Sequence, residues 1–294
     1  MSYEKFIPTI WNETINRELE RLCVFAEDCN RQYEGNVKNK GDSVKILGAA
    51  KPTIHKLVRK TKGDDEYKNT TDDIEGPEEL DGTEDIMYIR QVAYFNYMIG
   101  DIDKAQAIDG VMESLSEETS EGLANEIDTY ISSLAVDDKV TKLHGDTPVK
   151  VVDTKGQEGY VLSILDQAIQ KLYENDVNPT TPIVVTVSPR FYTLFRSAYI
   201  DRDTNNSGIM KNGKVGMYGN VTVKMSNNVH KTDDGATDNI MIRTKRAIAF
   251  VNPLTHTEPY RPERKFADAV KGFTLYDAKV VRPKEIVNIN VKYA

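Results

Sequence analysis

Cysteine, tryptophan and histidine are the scarce residues of this 294-residue chain, at two, one and four copies. Cys23 and Cys29 are too few for a disulfide framework. Six positions apart on a predicted helix, they point about 240° apart around its axis, so both are expected as buried small apolar residues. His55, His144, His230 and His256 stand singly, none beside a cysteine or a second histidine at ligand spacing, so no metal and no cofactor are expected. No run of about 18 apolar residues occurs, which excludes a membrane-spanning helix and any membrane partner through one. Residues 1–30 hold no apolar stretch ahead of a cleavage-type site, so no secretory leader is expected and a reducing cytosol is the expected place of work or assembly. The length is enough for one large or two moderate domains with a real core.

Charge is plentiful but unevenly placed. The net charge is −8, yet residues 61–85 carry eleven acids against Lys62 and Lys68, a local −9. Residues 101–138 carry another eleven against Lys104 alone, a local −10, which leaves the rest of the chain a basic body of +11. The two acidic segments differ in pattern. Between Thr61 and Asp85, Ile74 and Leu80 are the only aliphatics among four turn-forming Gly and Pro residues, so no core can form and a long exposed tip is expected. From Lys104 to about Val136, Ile108, Met112, Leu115, Leu123, Ile127, Ile131 and Leu134 recur at helical steps. That spacing predicts a rod of roughly 50 Å with one apolar stripe and an anionic opposite face.

Other segments alternate between these modes. Phe6-Ile7-Pro8-Thr9-Ile10-Trp11 is an uncharged apolar cluster, followed by a helical pattern at Ile15, Leu19, Leu22 and Phe25 or Ala26. Trp11 is expected to dock, either on its own domain or on a neighbour. Val44, Ile46 and Ile54 alternate with Ser43, Lys45 and His55, a β-ribbon that runs into the acidic tip and resumes at Ile86–Ile89 and Val92–Ile99. After Pro148 the pattern turns to α/β: Val149–Val152, a helix stripe at Val161, Leu165, Ala168, Ile169 and Leu172, and a β-branched strand at Ile183–Val187. A helix opened by Ser188-Pro189 comes next, with later strands at Val221–Met225, Ile240–Arg243, Ala247–Val251, Phe273–Val281 and Val287–Val291.

Tests for chemistry fail. Ser188 lies between strand and helix like a nucleophile elbow, but Thr186 and Arg190 stand where glycines belong, and capping is the expected role. Gly213, Gly216 and Gly219 precede a strand and not a helix, so they form no dinucleotide fingerprint. Asp201-Arg202-Asp203-Thr204-Asn205 begins like a calcium loop, but Asn206 replaces the glycine and Asn212 the bidentate glutamate. Arg243, Lys245, Arg246, Arg261, Arg264 and Lys265 lack interleaved aromatics and any nucleic-acid reading motif, so a solvated or subunit-facing role is expected.

The order of these parts resembles the major capsid proteins of tailed bacteriophages, the Hong Kong 97-type shell fold, over nearly the whole chain. Phe6–Trp11 and its helix resemble the family's N-arm, and Tyr33-Glu34-Gly35 with Gly41–Ile46 resembles the start of its extended E-loop. Residues 103–136, opening on Asp103-Lys104-Ala105-Gln106, resemble the spine helix. Val184–Leu194, Gly213–Asn227 and Ala247–Phe250 resemble the axial domain. Phe266-Ala267-Asp268, Gly272-Phe273 and Lys279–Pro283 resemble the closing segment. The resemblance implies an α+β fold with an N-arm at 1–34 and an E-loop at 35–99 with a mobile acidic tip about 61–85. It places a peripheral domain at 100–154 and 252–274, and an axial domain at 155–251 and 275–294. It also implies hexamers and pentamers closing into an icosahedral shell around double-stranded DNA, with no catalytic residue. With the arm opening at Met1, no scaffolding extension is expected ahead of it, so a separate scaffolding protein and a portal are implied partners, and a virion assembled in the host cytoplasm is the implied location. Candidate subunit contacts are Trp11, Asp64, Asp65, Asp72, Asp73, Glu78, Glu79, Arg261 and Arg264. An encapsulin-like bacterial nanocompartment shell is the alternative within the fold, and a cytosolic α/β enzyme using the Ser188 or Asp201 region the alternative outside it.

Overall fold

A computed structural model describes residues 19, 22–33, 43–48, 54, 77, 83–100, 111–145, 147–200, 217–218, 220–232 and 235–293. Its framework is two sheets joined by consecutive strands. The larger sheet runs in the order β4 (Thr141–Lys142), β13 (Ile286–Tyr293), β10 (Thr237–Thr244), β6 (Ile183–Val187), β8 (Val221–Met225) and β7 (Met217–Tyr218). The short strands β5 (Val149–Val151) and β9 (Lys231–Thr232) pair at its side with β13 and β10. Every residue of β6 is buried, which is why that strand reads as an unbroken β-branched run. Val185, Ile242 and Val287 lie in register on one face, against Leu165, Ala168 and Leu172 of α2 (Val161–Glu174) and Phe191, Phe195 and Ala198 of α3 (Pro189–Ile200). Of the stripe expected at Val161, Leu165, Ala168, Ile169 and Leu172, all are buried except Ile169, which is partly buried at its edge.

The smaller sheet is β11 (Ile248–Tyr260), β12 (Ala267–Val280) and β3 (Gln91–Gly100), all antiparallel. The chain passes between the sheets three times, from β3 through residues 101–140 to β4, from β10 to β11 at Lys245–Ala247 and from β12 to β13 at Val281–Glu285. One face of the smaller sheet packs on the long helix α1 (Val111–Ser133), which ends in a 3-10 turn at Leu134–Val136. Leu123, Ala124, Ile127 and Ile131 of α1 are buried, as their spacing predicts, while Glu117, Glu118, Glu121 and Glu126 are exposed. The 23 described residues of the rod span roughly 35 Å, and positions 101–110 of the longer expected helix lie outside the described residues.

β1 (Ser43–Gly48) and β2 (Thr83–Tyr88) form the expected ribbon, with Val44 and Ile46 buried and Ser43 and Lys45 exposed. The ribbon packs Val44, Ile46, Met87 and Ile89 on Ala249 and Val251 of β11. Two details differ from the sequence reading. Ile54, placed on the inward face by alternation, is 88% exposed. Residues 83–85, assigned to the acidic tip, belong to β2, because pairing with Gly48, Leu47 and Ile46 outweighs the charge of Glu84 and Asp85.

Candidate functional site

The first candidate from the sequence, Ser188, is a helix cap. Its Oγ accepts the Phe191 N–H at 3.3 Å and lies 2.7 Å from the Tyr293 hydroxyl, which donates to Asp238 Oδ2 at 2.7 Å. Burial and the Asp238 carboxylate push the Tyr293 phenol well above its ordinary range, so it stays protonated beside Ser188. Among the described residues no cluster of three His, Cys, Asp or Glu side chains is placed to hold a metal ion. Cys23 and Cys29 are buried and form no disulfide, as expected, although the helix before them ends at Leu22 and a 3-10 turn, Ala26–Asp28, follows. The Asp201–Asn212 loop lies outside the described residues.

Two buried carboxylates organise the joint between the sheets, and neither was legible as such. Asp128 of α1, one of the eleven acids of residues 101–138, is 1% exposed. Its carboxylate accepts three successive backbone N–H groups from across the chain: Val24 at 2.7 Å, Phe25 at 3.0 Å and Ala26 at 3.3 Å. This caps the 3-10 turn from a distant helix, the task a local Ser or Asp usually performs. Burial raises the Asp128 pKa against the pull of those N–H groups and of Arg243. Arg243, expected to be solvated or subunit-facing, is fully buried. Strand alternation turns it toward the segment 22–30, where it donates to the Phe25 carbonyl at 2.7 Å and to Cys29 Sγ at 3.0 Å, with its guanidinium over the Phe25 ring. Asp28, also buried, pairs with Lys224 at 2.5 Å and Lys245 at 3.1 Å.

Asp277 of β12 does the same for the ribbon. It accepts the Arg90 N–H at 3.0 Å and the Tyr130 hydroxyl of α1 at 2.8 Å, so the exit of β2 is fixed to the rod. Lys279 adds an ion pair to Asp85 and donates to the Ile86 carbonyl at 2.9 Å.

The exposed surfaces sort into three. On the smaller sheet, the face opposite α1 presents Val92, Tyr94 and Met98 at 54%, 80% and 50% exposure, in register with Leu275, Phe273 and Ala269. At the β11–β12 turn, Arg261, Arg264 and Lys265 are exposed beside Phe266, at 88%. Arg261 lies 4.0 Å from Asp268. The third surface is the acidic outer face of α1. Of the expected contact residues, Arg261 and Arg264 therefore share one tip. Trp11, Asp64, Asp65, Asp72, Asp73, Glu78 and Glu79 lie outside the described residues. The apolar sheet face was missed in sequence, although Val92-Ala93-Tyr94-Phe95-Asn96-Tyr97-Met98 carries apolar residues on both alternating sets and so signals two apolar faces.

No protein-family model matches this sequence, and no curated protein matches it significantly. Solved structures do. A chain of Mycobacterium phage Che8 superposes with a TM-score of 0.66 at 23% identity, over 91% of this chain and 90% of that one. The capsid of Ralstonia phage GP4 matches at 0.61 and 12% identity, over 93% and 90%. The virus-like particle from Pyrococcus furiosus matches at 0.58 and 9% identity, over 96% and 98%. The chain therefore has the fold of tailed-phage capsid proteins, the Hong Kong 97-type shell fold, as the order of its sequence segments implied.

Proposed function

We propose that this chain is the major capsid protein of a tailed bacteriophage, with a structural and not a catalytic role. Identical copies form the hexamers and pentamers of an icosahedral shell around double-stranded DNA. The observation that carries this reading is the likeness to phage shell chains over about nine-tenths of both partners, which leaves no sizeable part of the fold for another task. The exposed side chains of Val92, Tyr94 and Met98 on the smaller sheet support it, since a lone subunit gains nothing by exposing them. The irregular pairing between Val251 and Leu254 supports a boundary near 252 between axial and peripheral domains.

Subunit contacts are assigned to Trp11, to the acidic residues Asp64, Asp65, Asp72, Asp73, Glu78 and Glu79, and to Arg261 and Arg264. The acidic segment of one copy would lie on the basic tip of another, an attraction that weakens with salt. The anionic outer face of α1, if it lines the interior, would keep packaged phosphate from sticking. A separate scaffolding protein and a portal complete assembly in the host cytoplasm. The likeness to the Pyrococcus furiosus particle favours a second reading, an encapsulin-like nanocompartment shell that encloses protein cargo. Purified particles decide between the two: nuclease-protected DNA, with portal and terminase genes beside this one, supports the capsid, and a packaged enzyme supports the nanocompartment.

A further inference from the structure

Residues 22–30 meet α1, β8, β10, β11 and the crossing between the two sheets at 245–247. Asp128 holds their N–H groups from α1, and Arg243 holds the Phe25 carbonyl and Cys29 from β10. Lys224 of β8 binds both Glu27, at 2.7 Å, and Asp28. Lys245, in the crossing from β10 to β11, takes the other oxygen of Asp28. Asn30 then pairs with β11 by backbone, donating to Ile248 O at 2.8 Å and accepting from Phe250 N at 3.0 Å. The same segment supplies Cys23, Phe25, Ala26 and Cys29 to a single apolar cluster that also holds Met241 and Ile286 of the larger sheet, Phe250, Tyr276 and Ala278 of the smaller, and Ile127 and Ile131 of α1.

We infer that residues 22–30 are a strap that sets the angle between the two sheets, with Asp128 the positioning residue that keeps it seated. The two short covalent crossings at 245–247 and 281–285 are bonded to each other, the Val281 and Arg282 N–H groups donating to the Ala247 carbonyl, and so hold the joint at one point only. The strap is tied to the larger sheet by Arg243 and Lys224, to α1 by Asp128 and to β11 by the backbone of Asn30, and the charge-assisted bonds among these are strong and directional. Apolar packing alone fixes no angle so tightly, because it is non-directional. Tension on the chain ahead of Leu22 is thereby delivered to the joint. The inference does not rest on the shell reading, because every contact it uses lies within one copy.

The test pairs two readouts on Asp128→Asn, which keeps the shape and removes the charge. Hydrogen exchange reads the amides of Val24, Phe25 and Ala26. Spin labels on Gln167→Cys, in α2, and Glu258→Cys, in β11, read the distance between the sheets, with labelled copies diluted in unlabelled protein. The three amides are expected to exchange at least about tenfold faster, the loss appropriate to hydrogen bonds with a charged acceptor. The inter-sheet distance distribution is expected to move or broaden while the amides of β6 and β10 keep their protection. Faster strap amides with an unchanged distance distribution would overturn the inference, and so would unchanged amides. Should Asp128→Asn fail to fold, Lys224→Gln with Lys245→Gln loosens the Asp28 end alone. It is expected to shift the distance in the same direction, and no shift there is equally contrary.

Discussion

The two sheets of this molecule solve the same problem in opposite ways. The larger buries both faces within the chain: α2 and α3 cover one, and the strap and α1 meet the other. The smaller has one face on α1, while the ribbon covers only the Ala249, Val251 and Leu275 end of the other and leaves Val92, Tyr94 and Met98 exposed. A lone domain gains nothing by exposing such a face, whereas a subunit gains an interface. The larger sheet is therefore expected to behave as an ordinary core and the smaller as a surface awaiting a neighbour.

Substitutions should separate the two. Phe191→Ala, at the fully buried contact of α3 with the larger sheet, is expected to lower unfolding stability by about 3–5 kcal/mol in denaturant titration. Asp277→Ala, which strands the Tyr130 hydroxyl and the Arg90 N–H, should cost about 1–3 kcal/mol and free the ribbon root to proteolysis. In Gly272→Ala the new Cβ would lie 2.7 Å from the His256 carbonyl and 2.5 Å from the Phe95 ring. A loss of about 1–3 kcal/mol is expected from that overpacking, read by thermal unfolding.

High pH should act on the joint. Burial pushes the Tyr276 phenol up to about 12, and the Asp28 and Glu27 carboxylates hold Lys224 above its ordinary range although burial opposes them. Both groups are raised on folding, so the stability they contribute is complete below about pH 10 and is lost as pH climbs through their folded values. Exchange in the strap should accelerate there before exchange in β6 does. The smallest effect on stability belongs to Tyr94→Ser with Met98→Ser, expected within about 0.5 kcal/mol of wild type because both side chains are exposed. The same pair should suppress assembly.

Much of this architecture is written locally. Ribbon alternation, the α1 stripe, the Ser188 cap and the all-buried β6 each follow from a few neighbouring residues. The joint does not. Asp128 shares its face with Ala124 and Ile131, and that placement of an acid on an apolar stripe was the available signal. Its partners lie 102 to 104 positions away, at Val24–Ala26, where no local pattern reaches. Arg243 follows Ile240-Met241-Ile242 in a strand buried on both faces, which argues for a buried guanidinium, but Phe25 and Cys29 are more than 200 positions distant. The basic body of +11 is likewise partly internal: Arg243, Lys224 and Lys245 meet the strap, and Arg246 meets Glu285.

Sedimentation velocity of the purified chain, followed by negative-stain microscopy of each resolved species, tests self-assembly most directly. Closed shells or hexamer and pentamer rings are expected for the wild type, with a shift to single subunits for Tyr94→Ser with Met98→Ser. A wild-type chain that stays a single compact subunit at every concentration and salt, with and without a scaffolding protein, would contradict the proposed shell function.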